Sequence, residues 1–157
     1  MKGAIGKVGD IQVLNIKDRR TAEEVLGIQI PAYKIEAEII GFDAIPQLFD
    51  TAESLMASRE SFVGMCLDGR LAGVLAYEED ENWVVISRLT VHPSFFRRGI
   101  AKSLLAHLTS EFTGRKWRVL TGKGNMPALQ LYISFGFKEK GELEPEPGVQ
   151  LTVLEKE

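Results

Sequence analysis

The chain has 157 residues, 45% hydrophobic and 26% charged: enough for one ordinary domain with a sizeable core, too few for separate cofactor and substrate domains. Its 19 basic and 22 acidic residues give a net charge of −3, without the basic excess that a large nucleic-acid footprint requires. Cys66 is the single cysteine, which excludes an internal disulfide and argues against a cysteine-based zinc site, and no metal is expected.

In chain order, the opening MKGAIGKVGDIQVLNIKDRR carries no apolar leader, and nowhere do 18 apolar residues run together. The expectation is a soluble, cytoplasmic protein with no membrane contact. Residues 10–17 alternate around Ile11 and Val13 as an opening strand does. Thr21 with Glu24 has the form of a capping box, starting a helix over about 22–39 with Val25, Leu26, Ile28, Ala32, Ile35 and Ile39 near one stripe. Pro31 predicts a kink or break in it. A second helix is expected over 46–57, with Pro46 in its first turn and Leu48, Ala52 and Leu55 at helical spacing. Three strands follow, at 61–67, 70–78 and 82–91, the first two joined by the tight-turn pair Asp68–Gly69. Then come a helix at 99–112, a strand at 116–121, a helix at 125–135, and strands at 136–141 and 149–155 around an acidic loop, 142–148. No repeat or linker divides the chain, so residues 1–157 read as a single domain of α/β class: a central mixed, twisted sheet with helices on both faces.

The chemistry concentrates in two segments. In Ile86–Leu105, ISRLTVHPSFFRRGIAKSLL, a β-branched strand ends at Pro93, and a turn carrying Arg97, Arg98 and Gly99 opens a helix. Unpartnered first-turn N–H groups, a positive helix end and two guanidinium groups favour a pyrophosphate, and Gly99 lets the main chain approach it. Solvated arginines on a plain strand-to-helix connection fit the same residues. In the second segment, Asn125 and Tyr132 stand two turns apart on one helix face with Ala128 between them. They suit a polar ligand arm and a proton donor, although a core stripe of Ala128, Leu131, Tyr132 and Phe135 has the same spacing.

Together the segments resemble the GNAT superfamily of acyl-CoA-dependent N-acetyltransferases. The resemblance rests on L-x-V-x-P at Leu89–Pro93, R-R-G-I-A at Arg97–Ala101, and N-x-x-A-x-x-L-Y-x-x-x-G-F at Asn125–Phe137, in order and at the right separation. It implies a splayed strand pair that binds acyl-CoA, with backbone groups of Leu89, Thr90 and Val91 on the pantetheine arm and acyl carbonyl. It implies a pyrophosphate held by Arg97, Arg98, Gly99, Ile100, Ala101 and Lys102, Asn125 on the cofactor arm, and Tyr132 beside the sulfur. The turn departs from the family pattern at Phe96, where arginine or glutamine is usual, and at Arg97, a slot often filled by glycine.

The implied reaction is direct attack of a primary amine on acetyl-CoA, the cosubstrate, with the Leu89 N–H donating to the oxyanion and Tyr132 protonating the leaving thiolate. No base is assigned. Val85 occupies the strand position where some family members carry a carboxylate; Ser87, the acidic turn 78–81, and Glu36, Glu38 and Asp43 are the nearby polar candidates. Tyr33, Phe42 and Phe49 suit either an acceptor pocket or packing. Cys66 reads as an inert buried thiol, His92 as structural and His107 as solvent-facing.

The expected acceptor is a small-molecule amine, to which the acidic turn and loop would be attractive. A protein or peptide acceptor is the second reading, and an acyl-CoA sensor without turnover the third. Nucleic-acid binding through Arg97, Arg98, Lys102, Arg115 and Lys116 is disfavoured by the net charge. Relatives in this superfamily are often dimers, which leaves a homodimer open, with no sequence feature fixing its interface.

Overall fold

Residues 10–42 and 44–157 are described by a computed structural model of the chain; the first nine residues, which begin the segment read as leaderless, and Asp43 lie outside the described residues. Seven strands form one sheet: β1 (Asp10–Leu14), β2 (Ser61–Leu67), β3 (Arg70–Glu79), β4 (Trp83–Val91), β5 (Lys116–Gly122), β6 (Lys138–Glu146) and β7 (Val149–Lys156). Their spatial order is β1-β2-β3-β4-β5-β7-β6. Every neighbouring pair is antiparallel except β4 and β5. Four α-helices, α1 (Arg19–Ile40), α2 (Ala52–Met56), α3 (Ile100–Glu111) and α4 (Met126–Ser134), cover the sheet.

Alternation along β3 explains the two layers. Val74 and Ala76 pack with Val25 and Ile28 of α1 and Leu55 of α2. Leu75, one residue between them, packs on the other face with Leu104, Leu105 and Leu108 of α3 and Leu129 of α4. Gly73 lets α3 sit close, since a Cβ there would lie 2.6 Å from Ile100 Cγ2. The Asp68–Gly69 turn has φ of 54° and 77° at its two residues, the left-handed pair that a two-residue hairpin needs.

Four local expectations are corrected. The cap of α1 is Asp18, whose carboxylate accepts from the Thr21 N–H at 3.1 Å, so Thr21 lies inside the helix. Pro31 does not break α1. Residues buried on both sides of it, Val25, Ile28 and Gln29 before and Tyr33 and Ala37 after, hold one continuous helix, tertiary packing outweighing local propensity. The expected helix at 46–57 divides into a 3₁₀ turn, Pro46–Phe49, and α2. Asp50 is drawn into an ion pair there, and Thr51 caps α2 by a reciprocal exchange with Ser54. Finally, the acidic stretch 142–146 is strand, the outer part of β6 on the sheet edge, where its charges discourage pairing with another chain.

Candidate active site

The site begins where the sheet opens. β4 and β5 are paired only from Trp83–Lys116 to Ile86–Val119. Beyond that point β4 continues against β3 through Val91–Gly73, and β5 continues against β7 through Gly122–Leu151. The His92 N–H donates to the Ala72 carbonyl at 2.9 Å. By antiparallel alternation, the Thr90–Val74 pair is also bonded, and the N–H and C=O groups of Leu89 and Val91 are directed away from β3, toward the opening. A bulge between Ala76 and Tyr77 on β3 leaves Ser87 as the extra residue on β4 just at the parting.

A cleft of about 610 Å³ fills this parting. Val85–Leu89 and Val119–Lys123 form its strand walls, α1 contributes Tyr33 and Glu36, α4 contributes Ala128 and Tyr132 with Asn125 at its start, and Gly148–Leu151 close the remaining side. Of the residues expected at the site, the structure brings Leu89, Asn125 and Tyr132 together here. Thr90 and Val91 continue along β4 beyond the lining, and Arg97–Gly99 lead into α3, whose first turn holds Ile100, Ala101 and Lys102, all outside it.

At that approach Arg97 and Gly99 both adopt left-handed backbone, with φ of 65° and 74°, which explains why glycine suits the slot that Arg97 fills. The first helical N–H to find a carbonyl is that of Ser103, bonded to Gly99 at 2.9 Å; those of Ile100, Ala101 and Lys102 have no intrahelical partner. Phe95 is buried, with the Arg98 guanidinium 5.6 Å from its ring centroid, while Phe96 is 44% exposed. Arg115 and Lys116 lie past the far end of the twelve-residue α3, about 18 Å away, so the basic residues do not form one patch.

Asn125 caps α4, its Oδ1 accepting from the Ala128 N–H at 3.3 Å, and it lines the cleft together with Glu36. Tyr132 serves both readings of its spacing. It packs edge-on against Phe137 at 5.3 Å and also borders the cleft. Burial, and secondarily the Glu36 charge, push its phenol well above the ordinary value. Tyr33 is raised for the same two reasons.

Sequence reasoning missed the charged cluster beneath the cleft. Arg88 makes a forked contact with Glu60, Nε to Oε2 at 2.8 Å and Nη2 to Oε1 at 3.0 Å, and Nη1 reaches Asp50 at 2.6 Å and Gln29 Oε1 at 2.9 Å. The Ser87 hydroxyl donates to Glu60, and the Gln29 amide to Asp50 at 2.8 Å. Burial alone would raise both carboxyls, but the Arg88 bonds outweigh it and hold them below the ordinary range. An arginine in a strand of apolar and β-branched neighbours was the available signal, because a buried charge there demands acidic partners.

Other candidates fall away from the cleft. In the acidic turn, Asp80 accepts from the Asn82 and Trp83 N–H groups, and Glu79 pairs with Arg115 at 3.1 Å. Phe42 lines the cleft; Phe49 is 70% exposed. Cys66 is only half-buried, beside the edge strand β1, and accepts from Gln12 at 2.9 Å, while His92 Nδ1 accepts from the Ser94 N–H at 3.0 Å. No helix among the described residues is long and apolar enough to cross a membrane.

Comparison with known proteins agrees with this geometry. The sequence model of the acetyltransferase (GNAT) family matches residues 23–137. The UPF0157 protein YqkA of Bacillus subtilis (strain 168) is 40% identical over 145 residues, covering 92% of this chain. That match is 42% of the relative, so the chain spans less than half the length of the curated protein it resembles. Among solved structures, the ribosomal-protein-S18-alanine N-acetyltransferase of Escherichia coli superposes with a TM-score of 0.73 at 17% identity, covering 93% of this chain and 91% of that one. The PaiA N-acetyltransferase of Thermoplasma acidophilum, in complex with coenzyme A, superposes with a TM-score of 0.72 at 18% identity, covering 94% and 98%. These two likenesses establish the fold.

Proposed function

The chain belongs to the acetyltransferase (GNAT) family, and from that premise we propose that it transfers an acetyl group from acetyl-CoA to a primary amine held in the same cleft. The observation that carries this reading is the parting of β4 from β5 after Ile86 and Val119, which turns the backbone groups of Leu89 and Val91 toward an open cleft bordered by Tyr132. The residues present fit the cosubstrate. The unpartnered N–H groups of Ile100, Ala101 and Lys102, approached through left-handed Arg97 and Gly99, suit a pyrophosphate, with Arg97 and Arg98 adding charge. Leu89 and Val91 would hold the pantetheine arm by main-chain bonds, whereas the Thr90 groups, expected to share in this, are spent on Val74; Asn125 would bond the arm from the start of α4.

Acetyl-CoA supplies, when bound, the thioester carbonyl that the amine attacks. The Leu89 N–H is the donor aimed at the carbonyl oxygen as its charge grows. Tyr132 gives its proton to the departing sulfur and recovers one from the nitrogen as the amide forms, and its raised pKa keeps the resting proton in place at neutral pH. Holding both reactants in one cleft supplies much of the remaining acceleration.

A small-molecule amine is the acceptor that the cleft supports best, because α1 on one side and Gly148–Leu151 on the other flank it and narrow the space beside β4. A protein or peptide acceptor is the second reading, favoured by the likeness in fold to the Escherichia coli ribosomal-protein-S18-alanine N-acetyltransferase. Incubation with acetyl-CoA and a mixture of small amines and short peptides, followed by mass analysis, separates the two. Labelled small amines are the expected result, and label on peptides alone selects the second reading. Bound acetyl-CoA with no label anywhere would leave an acyl-CoA sensor and overturn the transfer reading.

A further inference from the structure

Three carboxylates stand at or beneath the acceptor side of the cleft, and they differ in how they are held. Asp50 and Glu60 are committed to Arg88 at 2.6 and 2.8 Å, and a carboxylate held below its ordinary range is a poor proton acceptor. Glu36 is different. Among the described residues that line the cleft it is the one carboxylate, and among the described residues it makes no ion pair. Its Oε2 lies 3.3 Å from where a Cβ on Gly122 would stand, so the glycine at the end of β5 leaves room for it. Asn125, at the start of α4, and Tyr132, further along it, line the same cleft.

We propose that Glu36, the carboxylate that shares the cleft with Asn125 and Tyr132, takes the proton from the acceptor's ammonium group. The assignment rests on the transfer reading above and supplies the base that the sequence did not identify. An amine arrives protonated at neutral pH and cannot attack in that form. One N–H bond of the ammonium breaks as an O–H bond forms on Glu36, leaving a neutral amine with its lone pair. Glu36 later returns the proton to water.

Burial raises the Glu36 carboxyl, and the nearby Asn125 amide offsets part of that rise. The charged and titratable groups around the cleft are Tyr33 on α1, Arg88 on β4, Lys123 after β5 and Tyr132 on α4. The Glu36 charge helps to raise Tyr132. Once Glu36 is neutral that contribution vanishes, so the phenol gives up its proton more readily after the amine has been activated.

The test uses the whole chain with n-butylamine, spermidine and a hexapeptide with a free N-terminal alanine as acceptors, comparing wild type with Glu36→Gln and Asn125→Asp. The kcat/KM of wild type should fall as pH drops through a limb above the ordinary carboxylate range near 4.3. Glu36→Gln should lose 100-fold or more in kcat and lose that limb, while its thermal shift with acetyl-CoA stays that of wild type. A second readout is independent of turnover. By ¹³C NMR of the chain alone, Glu36 should titrate above the ordinary range, and higher still in Asn125→Asp, which keeps the capping oxygen but adds a like charge. Turnover with an unchanged pH profile in Glu36→Gln, or an ordinary Glu36 titration, would overturn the assignment and leave the transfer reading standing. No acetylation of any of the three acceptors by wild type would overturn both.

Discussion

Ile86 and Val119 are the last residues paired between β4 and β5; three residues further on, Leu89 still pairs with Leu75 of β3 and Gly122 with Leu151 of β7. The sheet therefore stays continuous through its outer ladders while its centre opens. Each outer strand keeps a full complement of main-chain bonds on one side, and the unpaired edges line the cleft, where a ligand can satisfy them.

The Tyr132 hydroxyl is proposed to protonate the departing sulfur, whereas its ring belongs to the core beside Phe137. Tyr132→Phe should accordingly reduce kcat by about 100-fold or more with an unchanged melting temperature and an unchanged acetyl-CoA shift. Steady-state kinetics beside thermal denaturation check this, and a fully active phenylalanine variant removes Tyr132 from the mechanism.

Gly73 and Gly27 make opposite predictions for the same substitution. A Cβ at Gly73 would lie 2.6 Å from Ile100 Cγ2 and 3.3 Å from both Leu104 Cδ1 and the Thr90 carbonyl. Gly73→Ala should therefore cost about 1–3 kcal/mol and weaken acetyl-CoA binding by displacing the first turn of α3. Gly27, inside α1, has nothing within 4 Å of the added atom, so Gly27→Ala should stabilise by about 0.5–1 kcal/mol. Urea denaturation of both variants decides the signs.

Arg88→Met should destabilise by about 3 kcal/mol or more, because Asp50 and Glu60 remain beneath the cleft without their cation. The pH dependence follows from the sign of the shifts. Both carboxyls titrate lower in the folded chain than in the unfolded one. Their stabilisation is complete above the unfolded values near 4 and disappears as pH falls through that range toward the folded values. Urea midpoints measured from pH 7 to pH 3 should drop steeply in wild type across that window and flatten in the variant.

Arg97 holds a φ of 65°, a conformation that costs a non-glycine residue about 1 kcal/mol or more. Arg97→Gly should leave the chain equally or slightly more stable and weaken acetyl-CoA severalfold by removing a charge from the phosphate approach. Calorimetry of unfolding and of binding measures both. Undiminished affinity would show that the main-chain donors of the turn suffice.

What the sequence made legible was largely what local physics determines. The strands at 61–67 and 70–78, their Asp68–Gly69 turn, and the helices on either side of the 116–121 strand are written in periodicity and turn chemistry, and the structure returns each within a residue or two. Asn125 and Tyr132, on one helix face, do meet in the cleft. Legibility failed where partners are distant in sequence. Pro31 signals a break that packing on both sides of it prevents, and Asp50 ends one helical turn because Arg88, 38 residues away, binds it. Glu36 looked like one acid among several in a covering helix. Its distinction comes from Asn125 and Gly122, which only the tertiary fold brings beside it.

The most direct test of the central claim, an acyl-CoA site at the parting of β4 and β5, is a thermal-shift titration with acetyl-CoA, with free CoA and ATP alongside. A ligand that binds only the native state at 100 times its dissociation constant stabilises it by about 2.7 kcal/mol, a shift of several degrees for a domain of this size. Stabilisation by acetyl-CoA and CoA but not by ATP is the predicted result. No shift at millimolar acetyl-CoA would contradict the claim.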